Sequence, residues 1–225
     1  MAVNTDPPAS AADEHEVLQR AHTLGVQAWP ALAVDRATFA NFVRQRIAAE
    51  IPEHELAGHL DSLCLDDLYL ACACAERLPG AAEAFEARCG SAIRAAIAPI
   101  ARGDSWADEV AQLVREIVLL GVGRRGPAIA DYSGRGALRA WVRIIAVREA
   151  LRARRSGKGE VAIDDDAILD VLAPSHDPEL SYIKSHAAQA FRRAFLAAVA
   201  ALPRRERAVL RLHILDGLSI DRIAP

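Results

Sequence analysis

Hydrophobic residues recur at intervals of three and four positions along most of this chain, which is the spacing of amphipathic helices. The clearest case predicts a helix over residues 106–120. Its buried stripe consists of Val110, Leu113, Val114, Ile117 and Val118. Strict alternation of apolar and polar residues is scarce, and the helix formers Ala and Leu are abundant. The pattern therefore predicts an all-α protein.

The N-terminal part of the chain carries weaker signals. Residues 1–14 are polar and contain proline, so we expect them to be disordered. Residues 15–64 form a predicted helical extension with three short helices. Asp35 or Thr38 can cap one of these helices, and Pro52 suits the first turn of the next. The extension is either a packed cap on the following domain or a regulatory segment whose negative charge masks a basic surface.

Further helices are predicted in the middle of the chain. Residues 65–100 form two helices that are separated by Leu78-Pro79-Gly80. After a flexible, basic connection at residues 121–126, a long helix is predicted over residues 136–155. One face of this helix is apolar. Another face places arginines at successive i+4 positions: Arg135, Arg139 and Arg143.

Charge alternates in blocks along the chain. Residues 1–123 hold 9 basic and 18 acidic residues, whereas residues 124–158 hold 10 basic and 2 acidic residues. Residues 159–181 hold 7 acidic residues and no basic one, and residues 182–225 hold 8 basic and 3 acidic residues. Two basic blocks joined by an acidic linker indicate either surfaces that face nucleic acid or solvated Arg-rich helix faces.

The sequence contains no recognisable motif for metal binding or catalysis. The four cysteines, Cys64, Cys72, Cys74 and Cys89, lack the paired spacing of zinc sites, so we expect free thiols and no metal. No catalytic triad, carboxylate pair or nucleotide-binding motif appears. We therefore predict no enzyme activity, no cofactor and no small-molecule substrate.

The sequence also lacks the signals of export and of membrane insertion. Acidic residues at positions 13, 14 and 16 interrupt the region where a signal peptide needs an apolar core, and no apolar run reaches about 18 residues. We expect a cytoplasmic protein that does not contact a membrane.

The segment LPRRERAVLRLHILDGLSIDRIA, residues 202–224, predicts the first half of a helix-turn-helix. Pro203 suits a first helical turn, Gly217 can end that helix, and Ser219 can cap the next one. The segment resembles the start of region 4 of bacterial RNA polymerase sigma factors. In a helix-turn-helix the second helix enters the major groove. Since that helix would begin beyond Pro225, we expect recognition of the minus-35 promoter element to be impaired by truncation.

A second resemblance lies upstream, in the order that the family requires. The run DEVAQ at residues 108–112 and the segment DYSGRGALRAWVRIIAVREALRARR at residues 131–155 are similar to sigma region 2. The two motifs together resemble the small sigma factors of the extracytoplasmic-function type, in the sigma-70 family. The resemblance implies a region 2 helical bundle at residues 65–155, an acidic linker at residues 156–181 and a partial region 4 at residues 182–225.

The resemblance further implies a function in transcription initiation. The chain would bind core RNA polymerase and would recognise and melt the minus-10 region of promoter DNA, and an anti-sigma factor is a further partner that the family allows. The residues assigned to polymerase binding are Asp108, Glu109, Gln112, Arg115 and Glu116. The residues assigned to DNA binding are Tyr132, Arg135, Arg139, Trp141, Arg143 and Arg148.

Two alternatives stay open at the level of the sequence. Trp141 lies on the apolar face of its helix, so it either packs in the core or contacts a base, whereas Tyr132 in the preceding loop is the better candidate for a base contact. The whole chain could instead be a helical protein-interaction regulator that sequesters a partner, with Arg-rich faces for acidic protein surfaces and no binding of promoter DNA.

Overall fold

A computed structural model describes residues 11–47, 62–101, 103–156, 193–194, 197–214 and 223. Within these ranges the regular elements are helices and no strand occurs, which confirms the all-α prediction. The helices with defined bounds are α1 (Ala11–Ala28), α2 (Arg36–Ile47), α3 (Leu65–Ala75), α4 (Ala81–Ile97), α5 (Asp104–Arg115), α6 (Leu138–Ser156) and α7 (Arg204–Ile214). A π-helical turn, Glu116–Leu120, follows α5, and a 3-10 turn, Ala128–Asp131, precedes α6.

The chain divides into two compact units. The first comprises residues 1–91 and 115–141, and the second comprises residues 92–114 and 142–225. Several predictions fall outside the described residues. They concern most of the polar tail at residues 1–10, the helix beginning at Pro52, residues 157–181 of the acidic linker and the turn and cap of the C-terminal helix pair.

Tyr69 is the centre of the core of the first unit. Its ring is fully buried and packs against Phe39 with a centroid separation of 5.6 Å. Its hydroxyl donates to the carbonyl of Leu32 at 2.9 Å and accepts from the amide of Val34 at 3.1 Å. A Cβ on Gly25 of α1 would lie 2.3 Å from this ring, so the glycine allows α1 to pack against α3.

In the part of the N-terminal extension that the structure describes, two of the predicted helices are present. α1 begins at Ala11, so its first four residues belong to the segment that was predicted to be disordered. α2 is capped by Asp35, as predicted, because its Oδ2 accepts from the amides of Ala37 and Thr38 at 2.9 and 3.0 Å. At the other end of α2, the Nε of Arg46 donates to the carbonyl of Ala130 at 2.7 Å. The extension is therefore packed onto the domain that follows it.

The predicted helix over residues 106–120 differs from the structure at both ends. α5 begins at Asp104, and its last part widens into the π-helical turn. Gly121 ends this turn with a φ of 78°, and its amide donates to the carbonyl of Glu116 at 2.8 Å. A Cβ on Gly121 would lie 2.3 Å from the carbonyl carbon of Gly126. The connection over residues 121–126 is thus a loop whose two ends touch.

The second unit has a core of small aliphatic side chains. Fully buried members include Ile93 in α4, Val114 in α5 and Val142 in α6. α7 begins after Pro203, whose carbonyl accepts from the amide of Arg207 at 3.0 Å. This start agrees with the predicted first helix of the C-terminal pair.

Candidate polymerase and nucleic-acid interfaces

One face of α5 is polar and exposed. Asp108, Glu109 and Gln112 lie on the outside of the helix, whereas Val110 and Val114 are buried. This division follows the helical spacing from which the surface was predicted. Two carboxylates and one amide on an accessible face can bind the donors of a basic protein surface.

Arg115 belongs to the same predicted surface, but an ion pair holds it. Its Nε and Nη2 donate to the two carboxylate oxygens of Glu86 at 2.7 and 2.9 Å. This two-point geometry fixes the plane of the guanidinium. Glu116 is half-buried in the π-helical turn. The orientation of Arg115 toward any partner is therefore set by a residue of α4 that the sequence did not single out.

The structure corrects the expectation for Tyr132. Its side chain is buried, with 2% of the residue exposed, and its hydroxyl donates to the carbonyl of Gly136 at 2.6 Å. Burial and the nearby carboxylate of Asp67 raise the pKa of Tyr132 far above its usual value, so the hydroxyl stays protonated. Tyr132 shapes the loop from within and is not on the accessible surface.

Trp141 takes the accessible position instead. Its ring meets the ring of Tyr132 edge to face, with the centroids 5.7 Å apart, and the residue is half-buried. The indole therefore packs on Tyr132, while Trp141 as a residue keeps part of its surface accessible. Trp141 is thus the more exposed of the two aromatic residues, whereas the sequence favoured Tyr132 as the residue that contacts a base. Trp141 is partly exposed although it lies on the apolar face of α6, because it belongs to the first turn of that helix, next to the preceding loop.

The predicted row of arginines is only partly helical. α6 begins at Leu138, so Arg135 lies in the loop before it, where it is exposed. Arg139 lies in the first turn of α6 and is half-buried. In the second unit, Arg143 and Arg148 are also half-buried members of α6. Of the four predicted arginines, one thus lies in the loop and three lie in α6.

The loop that carries Arg135 is fastened to the start of α3. The amide of Cys64 donates to the carbonyl of Gly134 at 2.8 Å. Gly134 has a φ of 77°, and a Cβ there would lie 2.5 Å from the Leu68 side chain. Only glycine allows this approach. The amide of Leu138 then donates to the buried carboxylate of Asp67 at 2.7 Å.

Two groups of residues near these surfaces were not predicted from the sequence. The buried carboxylate of Asp67 and the half-buried guanidinium of Arg88 form an ion pair at 2.9 Å beside the start of α6. Arg124 and Arg125 are exposed in the 121–126 loop, where Arg124 pairs with Asp131 at 2.6 Å. Both groups are visible in the sequence. Asp67 belongs to an acidic pair that precedes an apolar run, and Arg124 and Arg125 lie between two glycines. Neither pattern indicates which residue elsewhere in the chain is the ion-pair partner.

Three of the four cysteines lie in the interior. Cys72, Cys74 and Cys89 are buried, and burial raises the pKa of each to about 12. Among these residues no group of three or more histidine, cysteine, aspartate or glutamate side chains could hold a metal ion. In the same part of the chain, every helix is too short or too polar to span a bilayer.

Comparisons with known proteins return no relative. No protein-family model matches the chain, and neither the curated proteins nor the solved structures contain a match.

Proposed function

We propose that this chain is a sigma-factor-like transcription initiation protein, which binds core RNA polymerase and recognises and melts the minus-10 region of promoters. The observation that carries the proposal is the order of the two motifs. A segment similar to sigma region 2 precedes one similar to the start of region 4. The protein performs no chemistry of its own, because strand separation needs only binding energy for the separated strand.

Polymerase binding is assigned to the polar face of α5. Asp108, Glu109 and Gln112 are exposed on a helix whose opposite face is buried, so they can meet a partner without unfolding. Arg115 contributes with an orientation set by Glu86. Interfaces of this kind gain specificity from charge complementarity, and the partner surface is accordingly basic.

DNA binding is assigned to the loop before α6 and to the helix itself. Arg135 and Arg139 supply positive charge next to the accessible part of Trp141. Arginines bind phosphates of a single strand, and stacking on an aromatic ring stabilises an unpaired base by about 1–3 kcal/mol. Arg143 and Arg148 extend the basic character along α6. Tyr132 supports Trp141 from the interior.

The test of the polymerase step is co-elution of the full chain with bacterial core RNA polymerase. A triple variant, Asp108→Ala with Glu109→Ala and Gln112→Ala, should lose co-elution. The matched control is Glu16→Ala with Glu83→Ala and Gln27→Ala, which removes the same charges and one amide from other exposed helix positions. Loss in the control as well, or retention in both variants, would refute the assignment of α5.

The burial of Tyr132 favours a second candidate function, a helical regulator that sequesters a protein partner without binding promoter DNA. The two functions differ in their response to single-stranded DNA. A sigma-like protein bound to core polymerase should retain a minus-10-like nontemplate strand, with affinity that falls as salt increases. A sequestering regulator should bind that strand neither alone nor with the polymerase.

A further inference from the structure

The helix that carries the DNA-facing arginines begins without a cap of its own. The residue before α6 is Ala137, whose carbonyl already accepts from the amides of Ala140 and Trp141 at 2.9 and 3.2 Å. Alanine has no side-chain acceptor for the unpaired amides of a first helical turn. The acceptor comes from α3 instead, since the amide of Leu138 donates to Asp67 Oδ2 at 2.7 Å.

The carboxylate of Asp67 is fully buried and is used at both oxygens. Oδ2 accepts from Leu138, and Oδ1 accepts from the Nε of Arg88 at 2.9 Å. Asp67 also lies in the first turn of its own helix, so the positive ends of two helix dipoles meet at this group. A buried carboxylate without such partners would be strongly unfavourable. Its two contacts therefore hold α3, α4 and the start of α6 in one arrangement.

The same carboxylate completes the attachment of the loop. Upstream of Leu138, the carbonyl of Gly134 is bound by Cys64 and the carbonyl of Gly136 is bound by Tyr132. These three contacts lie within five residues of one another. Arg135, Arg139 and Trp141 are placed between and directly after them.

We propose that Asp67 is a positioning residue for strand binding, which acts through the amide of Leu138 and does not touch DNA. The inference rests on the proposed function. Without the carboxylate, the first turn of α6 frays, and Arg139 and Trp141 no longer hold the orientation that a single strand requires. Arg88 serves the same end by keeping the carboxylate in place.

Asp67→Ala tests this role, and Asp66→Asn is the matched control. Asp66 precedes Asp67 on α3, faces the same Arg88 at 3.5 Å and is 46% exposed. The substitution Asp66→Asn therefore removes one negative charge beside Arg88 and leaves the contact between Asp67 and α6 in place. Three quantities are measured on the full chain: amide hydrogen exchange of Leu138, affinity for core polymerase, and affinity of the polymerase-bound chain for a minus-10-like single strand.

We expect Asp67→Ala to accelerate the exchange of Leu138 and to weaken strand binding, each about tenfold, with polymerase affinity within about twofold of wild type. Asp66→Asn should leave all three unchanged. A merely structural role would lower both affinities together. Unchanged strand binding in Asp67→Ala, or an equal loss in Asp66→Asn, would overturn the inference.

Two further outcomes separate this inference from the proposed function. If the wild-type chain binds neither polymerase nor the strand, the proposed function fails, and faster exchange of Leu138 in Asp67→Ala then identifies Asp67 as a structural cap only. If Asp67→Ala does not fold, Asp67→Asn replaces it, because the amide keeps the volume but has only one acceptor oxygen and cannot accept from both Leu138 and Arg88. A loss of strand binding without a loss of polymerase binding in that variant again supports the inference.

Discussion

Arg115 and Glu86 form an ion pair with two hydrogen bonds, at 2.7 and 2.9 Å, between residues 29 positions apart. The Glu86 carboxylate fits because residue 90 of α4 is glycine. A Cβ at that position would lie 2.3 Å from Glu86 Oε1. A glycine inside a helix costs about 0.5–1 kcal/mol relative to alanine. Here that cost is offset by the space it leaves for the carboxylate.

A double-mutant cycle should detect this pair. With Glu86→Ala and Arg115→Ala, we expect a coupling of about 0.5–1 kcal/mol in the free energy of unfolding, measured by urea denaturation. The value is limited because the two side chains are 41% and 24% exposed. Repeating the cycle in a Gly90→Ala background should bring the coupling near zero. Persistence of the full coupling there would contradict the assigned role of Gly90.

Substitution of two loop glycines should separate backbone strain from steric overlap. Gly121 and Gly123 have similar φ values, 78° and 73°, but only Gly121 faces close backbone atoms, those of Gly126 and Pro127. Gly123→Ala should cost about 1 kcal/mol, the penalty of the left-handed region. Gly121→Ala should cost clearly more, about 3 kcal/mol, in urea denaturation. An equal loss of stability in the two variants would contradict this prediction, because it would mean that the backbone around Gly121 and Gly126 moves apart at no cost.

Tyr132, in the loop before α6, and Trp141, in the first turn of α6, should respond differently to substitution. Trp141→Ala should weaken binding of the minus-10-like strand by the polymerase-bound chain by about tenfold, because it removes the accessible ring. Tyr132→Phe should lower the free energy of unfolding by about 1 kcal/mol through the lost bond to Gly136, and it should leave strand binding nearly intact. Strand loss confined to Tyr132→Phe would restore Tyr132 as the contact residue.

Arg135 should contribute to the salt dependence of strand binding. It is exposed in the loop before α6, so Arg135→Ala should reduce the slope of log affinity against log salt by about 0.7. Arg36→Ala, at an exposed position of α2, is the control and should leave the slope unchanged. The slope is obtained from titrations of the polymerase-bound chain at several salt concentrations. An equal change in both variants would indicate nonspecific charge effects.

Cysteine alkylation should follow burial and pH. Burial raises the pKa of Cys72, Cys74 and Cys89 to about 12, so at pH 8 these thiols are protonated as well as inaccessible. Cys64 is half-buried, and burial followed by Asp67 and Asp66 raises its pKa as well. In the folded chain iodoacetamide should modify Cys64 first, more slowly than a model thiol, with a rate that rises with pH. Mass spectrometry of each site checks this order, and modification of Cys72 before Cys64 would contradict it.

Much of the helical framework was predictable because helices are encoded locally. The 3.6-residue spacing placed the buried side of α5, and the break at Leu78-Pro79-Gly80 separated α3 from α4. Asp35 was one of two predicted caps, and it could be predicted because its partners are only two and three residues away. The exposed positions of Asp108, Glu109 and Gln112 followed from the same spacing.

The sequence by itself determined the helical class, the main helix positions and the alternation of charge, since each depends on neighbours within a few residues. Only the tertiary structure decided that Tyr132 is buried under Trp141, that Glu86 orients Arg115 and that Asp67 caps a helix 71 positions away. These contacts join segments that are distant along the chain. They depend on how the helices approach one another, which local periodicity does not specify.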